Sequence, residues 1–138
     1  MSQKIETNKA PKPVGAYPHA RRVGNLLFLS GIGPRDAATD GVPGLEQSAS
    51  GNFTAFDFEA QCHSVFRNVR AVLEASGAKW EDLVDVTVFL TDIQRDFSTY
   101  NRIYGEYFAD HQPCRTTVGI DSLPTPIAIE LKCIACFS

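Results

Sequence analysis

Two residues near the C-terminal end carry side chains that could do chemistry together. Arg115 stands in the run Pro113-Cys114-Arg115-Thr116-Thr117-Val118, and Glu130 in Ile129-Glu130-Leu131. Arginine is a fixed cation whose planar fork of donors matches a carboxylate in two-point contact. Glutamate ionises near ~4.3 in water, so at neutral pH it can hold a water molecule and accept its proton. Partial burial raises that value and makes the group a better proton shuttle. The pair fits hydrolysis at a carbon next to a carboxylate. It would serve equally as a surface ion pair on an exposed sheet face, and residue types alone leave both uses open.

The elements that must position these groups read as two strands, 115–120 and 127 to about 137. Threonines and β-branched residues favour extended backbone there, and Leu123-Pro124 and Pro126 mark the loop between. On a strand, Arg115, Thr117 and Gly119 point one way and Thr116, Val118 and Ile120 the other. Ile127, Ile129, Leu131, Cys133, Ala135 and Phe137 form an apolar face, with Glu130 and Lys132 opposite. Arg, Thr, Gly and Glu are expected to share one polar sheet face.

Upstream, residues 1–14 read as an extended arm, and 17–23 and 26–31 as strands joined by a tight turn at Gly24-Asn25. Leu26-Leu27-Phe28-Leu29 is apolar throughout, so burial on both faces is expected. Residues 36–52, rich in Asp, Gly, Ser and Pro, read as a long loop. A helical stripe through Phe58, Cys62, Val65, Phe66, Val69, Val72 and Leu73 ends at Gly77. Residues 83–91 alternate as a strand, and Phe97, Tyr100, Ile103, Tyr104, Tyr107 and Phe108 mark a second helix with Asp96 as N-cap. This order predicts an α+β chain with both helices on one face of a single sheet. The other face, with Glu130, Lys132, Ile134 and Cys136, is too mixed for a monomer core and too apolar for solvent. It is expected to pack against further copies of the chain.

Composition sets the bounds. With 138 residues, 43% of them hydrophobic, the chain reads as a single domain, 1–138, with a substantial core. A net charge of −3 gives no basic surface for nucleic acid. No apolar run approaches the ~20 residues of a membrane span, and no secretion signal is evident, so a cytoplasmic protein is expected. Cys133 and Cys136 have C-x-x-C spacing, but residues three apart on a strand face opposite sides, so no metal site is expected.

The run from Pro113 to Val118, then Leu123-Pro124, Ile129-Glu130 and Ile134-Ala135, resembles the C-terminal signature of the Rid (YjgF) family of enamine/imine deaminases. Gly15-Ala16-Tyr17, Gly24-Asn25 leading into Ser30-Gly31, Val86-Thr87-Val88-Phe89-Leu90 and Tyr100-Asn101 continue the likeness. It covers nearly the whole chain apart from about residues 36–55, which read as a loop insertion. The resemblance implies a chorismate-mutase-like fold, with the 83–91 strand lying between the last two. It also implies a homotrimer with its sites in the clefts between subunits, open to stacking into larger assemblies, and no cofactor. On this basis Arg115 would hold the substrate carboxylate beside the C–N carbon, Glu130 would position the attacking water, and the Thr117 backbone would contact the nitrogen. Many relatives carry cysteine where Thr117 stands, so a covalent thiol role is absent here. Tyr17, Ser30, Gly31 and Asn101 would line the pocket, some of them from the neighbouring subunit.

Gly33-Pro34-Arg35 and Tyr17-Pro18-His19-Ala20-Arg21-Arg22 resemble the 2-aminomuconate deaminase branch. That substrate is a dicarboxylate and needs a second cation. Arg35 and either Arg21 or Arg22 are the candidates, with His19 as a further donor, and a solvated basic cluster is the alternative. Other activities compatible with the family are deamination of short 2-aminoacrylate-type species, ribonuclease action, and ligand binding without catalysis. The catalytic reading requires Arg115 and Glu130 to converge on one wet pocket at a seam between protomers.

Overall fold

The run Ile129–Cys136 alternates between buried and half-buried side chains along its whole length, as a strand does when only one of its faces is covered. The computed structural model describes residues 2–47 and 53–138, with side chains outside 46–56. The elements in order are β1 (Ser2–Ile5), β2 (Ala20–Val23), β3 (Leu26–Leu29), β4 (Leu45–Gln47), β5 (Phe53–Phe56), α1 (Phe58–Ala75), β6 (Leu83–Leu90), α2 (Ile93–Phe108), β7 (Cys114–Gly119) and β8 (Ile129–Cys136). Six strands form a mixed sheet in the order β1-β2-β3-β8-β6-β7, and β4 pairs with β5 separately.

The strand at 83–90 does separate the last two strands. β6 runs antiparallel to β8 and parallel to β7. A parallel neighbour needs a long crossover, and α2 supplies it. Both helices cover one sheet face. Cys62, Val65, Phe66, Val69, Val72 and Leu73 of α1, with Tyr100, Ile103 and Phe108 of α2, join Leu27, Leu29, Val86, Val88, Leu90, Ile129, Leu131 and Cys133 in one core. Burying each large apolar side chain contributes roughly 2 kcal/mol, so this layer holds the sheet in register.

Four expectations are corrected. Residues 2–5 are not a free arm: they pair with β2, satisfying backbone groups that an edge strand would leave open. β3 is buried on one face only, because no helix covers the other, and Leu26 and Phe28 remain 40% and 36% exposed. The stretch read as a loop over 36–52 contributes β4, paired antiparallel with β5; its residues 48–52 lie outside the described ones. Finally, α2 is capped by Asp92, whose carboxylate accepts the Arg95 N–H at 3.1 Å. Asp96, the expected cap, lies inside the helix, 3% exposed, and takes two 2.7 Å hydrogen bonds from the Arg95 guanidinium. Both aspartates stand shortly before the first aromatic of the stripe, so the apolar pattern alone could not choose between them.

Among the described residues no helix is long and apolar enough to cross a membrane. The uncovered sheet face leaves Val23, Leu26 and Phe28 open, beside half-buried Ile134 and Cys136. The cap assignment is testable: Asp92→Ala should lower unfolding free energy by about 1 kcal/mol in a urea titration, and an unchanged midpoint would refute it.

Candidate active site

Glu130 projects from the uncovered face of β8, in register with Phe89 of β6, which pairs in turn with Val118 of β7. Its carboxylate rests against Gly31. A Cβ at that position would lie 2.7 Å from Oε2 and 3.0 Å from Cδ, so only glycine admits this contact without moving the carboxylate. Glu130 is half-buried, and among the described residues no hydrogen bond or ion pair holds it. Burial with no compensating charge raises its pKa above the ordinary 4.5.

Beside it, Tyr17, His19, Ser30, Gly31 and Arg35 line a pocket walled by Ala10, Pro11 and Pro13. Within one protomer its volume is about 40 Å³, and it adjoins a wider cleft of about 650 Å³ that shares Ala10, Pro13, Tyr17 and His19. The Ser30 hydroxyl donates to the Pro18 carbonyl at 2.7 Å. His19 is 9% exposed. Its Nδ1 accepts the Thr7 N–H at 3.3 Å, so Nε2 carries the proton and donates to the Pro11 carbonyl at 2.9 Å. With both ring nitrogens engaged, His19 pins the N-terminal segment and has no donor left for substrate. Arg35 donates to the Lys12 carbonyl at 2.8 Å and pairs with Asp40; the arginine side chain is 15% exposed, the aspartate 70%.

A second group gathers between β7 and α2. The β7–β6–β8 register sets Arg115 beside Val86 and Cys133, and Thr117 beside Val88 and Leu131. Registered neighbours project from the same face, so Arg115 and Thr117 point toward the helices. The Arg115 guanidinium carbon lies 4.7 Å from the Tyr104 ring centre and 5.9 Å from those of Phe97 and Tyr100. Among the described residues, the buried hydroxyls of Thr117, Tyr100 and Tyr104 have no hydrogen-bond partner. Burial pushes the Tyr104 phenol up to about 12, partly offset by the Arg115 charge. Asn101, exposed on α2, stands one helical turn from Phe97.

The expectation of a shared polar face is therefore wrong for one chain. Arg115 and Glu130 sit two strands apart, roughly 10 Å across the sheet, but on opposite faces. Counting alternation within each strand was sound; what it could not supply was the pairing register that relates the two strands. Arg22 also falls outside both groups. It stacks on Phe137 at 3.9 Å and donates to the Gly24 carbonyl. Arg21 donates to Ser2 from a row paired through Phe28 to Ile134, four positions along β8 from Glu130. Of the three arginines considered for a second carboxylate, only Arg35 lines the pocket.

Three residues of α1 escaped the sequence reading. Gln61 accepts the Ala128 N–H at 2.9 Å, Ser64 donates to the Pro34 carbonyl at 2.7 Å, and Asn68 donates to the Gly33 and Arg35 carbonyls at 2.9 and 2.8 Å. Their spacing of three and four places them on one helix flank, a signal that a search for polar periodicity would have found. Ser64 and Asn68 fix the backbone that carries Arg35, and Gln61 holds the chain two residues before Glu130. Among the described residues no cluster of His, Cys, Asp or Glu could hold a metal ion, and Cys133 and Cys136 lie on opposite faces of β8.

Comparison with known proteins gives this geometry a lineage. The Endoribonuclease L-PSP family profile matches residues 7–137. The chain belongs to that family, which is also called Rid or YjgF. A RutC family protein of Pyrococcus abyssi is 39% identical over 131 residues, covering 95% of this chain and 94% of its own length. Reactive Intermediate Deaminase A, chloroplastic, of Arabidopsis thaliana is 37% identical over 131 residues, covering 95% of this chain and 64% of that longer protein. Among solved structures, a Rid family protein of Yersinia pestis superposes with a TM-score of 0.85 at 31% identity, covering 99% of each chain. The L-PSP fold thus accounts for the single mixed sheet with two helices on one face.

The raised pKa of Glu130 can be measured directly. NMR titration of its side-chain carboxyl should give a midpoint above 4.5. A raised value means that the folded chain binds this proton more tightly than the unfolded one, so stability is lost as pH rises through the folded pKa. Glu130→Gln should therefore be more stable than the parent at about pH 8, with the gain vanishing by about pH 4. A midpoint at or below 4.5 would contradict burial as the dominant influence.

Proposed function

We propose that this chain is a hydrolytic enamine/imine deaminase whose sites form between copies of itself, and that its substrate is the dicarboxylate 2-aminomuconate. The observation that carries this reading is a pair of half-sites on opposite sheet faces. One presents a guanidinium with no hydrogen bond or ion pair among the described residues; the other presents a half-buried carboxylate equally without a partner. Each is incomplete within one protomer. The open apolar face with Val23, Leu26 and Phe28 supports self-association, and a closed homotrimer is the arrangement that repeated head-to-tail contact produces when its rotation closes. The relative named Reactive Intermediate Deaminase A supports the activity. The net charge of −3 favours a small-molecule substrate over RNA.

The chemistry proceeds as follows. The enamine tautomerises to the imine, whose adjacent carboxylate docks on the Arg115 fork from one protomer. That contact draws electron density from the C=N carbon, and preorganised charge of this kind is a large catalytic term. Glu130 of the neighbouring protomer holds a water, accepts one of its protons as oxygen bonds to the carbon, and returns that proton to nitrogen. Glu130 then carries the remaining hydroxyl proton to nitrogen as the C–N bond breaks and the C=O bond forms. The products are ammonia and a carbonyl, 4-oxalocrotonate from 2-aminomuconate, and water is the only co-reactant. The Thr117 backbone contacts the nitrogen, while Tyr17, Ser30 and Gly31 from one protomer and Asn101 from the other enclose the substrate. Arg35 meets the second carboxylate, exchanging its exposed partner Asp40 for substrate.

Complementation tests the shared site. Arg115→Ala and Glu130→Gln should each abolish ammonia release alone. Co-assembled in equal amounts, they should recover activity in roughly a quarter of sites, those receiving an intact residue from both neighbours. Absence of recovery in mixed assemblies would refute a site between protomers. For the substrate, Arg35→Ala should cut turnover of 2-aminomuconate roughly 10- to 100-fold, as expected for one lost charge-assisted contact, while sparing a short 2-imino acid. Equal loss on both would contradict the second-carboxylate role, and fast turnover of the short substrate alone by the parent would favour the generalist activity.

A further inference from the structure

Arg115 carries its charge against a wall of rings rather than against an acid. Arg35, Arg95 and Arg102 each meet a carboxylate, whereas among the described residues no carboxylate pairs with Arg115 and three rings surround its guanidinium. A guanidinium offers two separable surfaces. Its flat face is attracted to the π density of an aromatic ring, and its rim carries five N–H donors in the plane. Tyr104, with its ring centre 4.7 Å from the guanidinium carbon, is placed to meet the first, and among the described residues no hydrogen bond or ion pair takes up the second. Phe97 and Tyr100, both at 5.9 Å, frame the same group.

The Tyr104 ring is itself held in place. Its centre lies 4.4 Å from that of Phe108 and 5.6 Å from that of Tyr100. Its hydroxyl is buried and has no hydrogen-bond partner among the described residues, so the phenol oxygen does not anchor the ring to them. What remains is the π face. We propose that Tyr104 is a positioning residue: its ring fixes the Arg115 guanidinium through the flat face, so that the donor rim is presented to the substrate carboxylate. This rests on the assignment of Arg115 as the carboxylate-holding group. Positioning through the face costs the ligand nothing, because no protein acceptor has to be displaced from the rim before a carboxylate can bind.

The full-length protein allows a test that separates positioning from core packing. The Arg115 Nε–H order parameter is measured by 15N relaxation, and binding of 2-oxobutanoate, a short 2-oxo acid, by calorimetry. In the parent and in Tyr104→Phe, which keeps the ring, the Nε–H should be rigid and the affinities equal within about twofold. In Tyr104→Leu the Nε–H should become mobile and affinity should fall about tenfold, the size of one partly desolvated cation–π contact. Trp80→Leu removes a core ring that packs on Phe66, Tyr107 and Phe108 rather than on Tyr104. It should lower the melting temperature while leaving the Nε–H rigid and the affinity unchanged. A mobile Arg115 in the parent, or equal weakening in Tyr104→Leu and Trp80→Leu, would overturn the proposal. Arg115→Ala binding 2-oxobutanoate as tightly as the parent would instead remove the carboxylate role, even if the ring contact proved rigid.

Discussion

A β-sheet has two faces, and the register of β6 assigns Arg115 to one and Glu130 to the other. The proposed site depends on that assignment. It follows from three hydrogen-bonded rows: Arg115–Val86–Cys133, Thr117–Val88–Leu131 and Val118–Phe89–Glu130. A slip of one residue in either ladder would exchange the faces of a whole strand. The buried apolar members of these rows prevent it, because Val86, Val88, Leu131 and Cys133 would be driven into solvent. The core thus does more than stabilise: it decides which compartment each charged group enters.

Much of the fold was legible in the sequence because periodicity reports burial. The stripe from Phe58 to Leu73 could only be a helix against a sheet, and the alternation at 129–136 only a strand covered on one side. The failures have a common physical origin. Short pairings such as β1 with β2, and β4 with β5, depend on which backbone edges are vacant, a property of the assembled sheet. The double burial expected for β3 failed because an apolar strand can equally be half-covered and left open, as Leu26 and Phe28 are. Asp92 and Asp96 are alike in type and differ only in where the chain turns.

The candidate site divides in the same way. Residue types and a family likeness picked out Arg115, Glu130, Tyr17, His19, Arg22, Ser30, Gly31, Arg35, Asn101 and Thr117; the structure gathers Glu130, Tyr17, His19, Ser30, Gly31 and Arg35 around one corner of β3 and β8 and places the other four elsewhere. The aromatic stripe of α2, read from sequence as core, is core on one flank and a seat for Arg115 on the other. Arg22 illustrates the converse. Its charge suggested a ligand, but a neighbouring Phe137 ring and a carbonyl claim it, and only coordinates reveal such local competition. Gln61, Ser64 and Asn68 were passed over because they bind backbone, which leaves no chemical signature in composition.

His19 joins two parts of the molecule that are distant in role. Its backbone N–H donates to the Ile5 carbonyl at the end of β1, and its ring grips Thr7 and Pro11. The outermost strand of the sheet and the proline-rich wall of the pocket are therefore fastened by one residue, the strand through its backbone and the wall through its ring. Losing the imidazole would free Thr7 and Pro11 together and loosen that wall, while the backbone bond to Ile5 would still hold the strand.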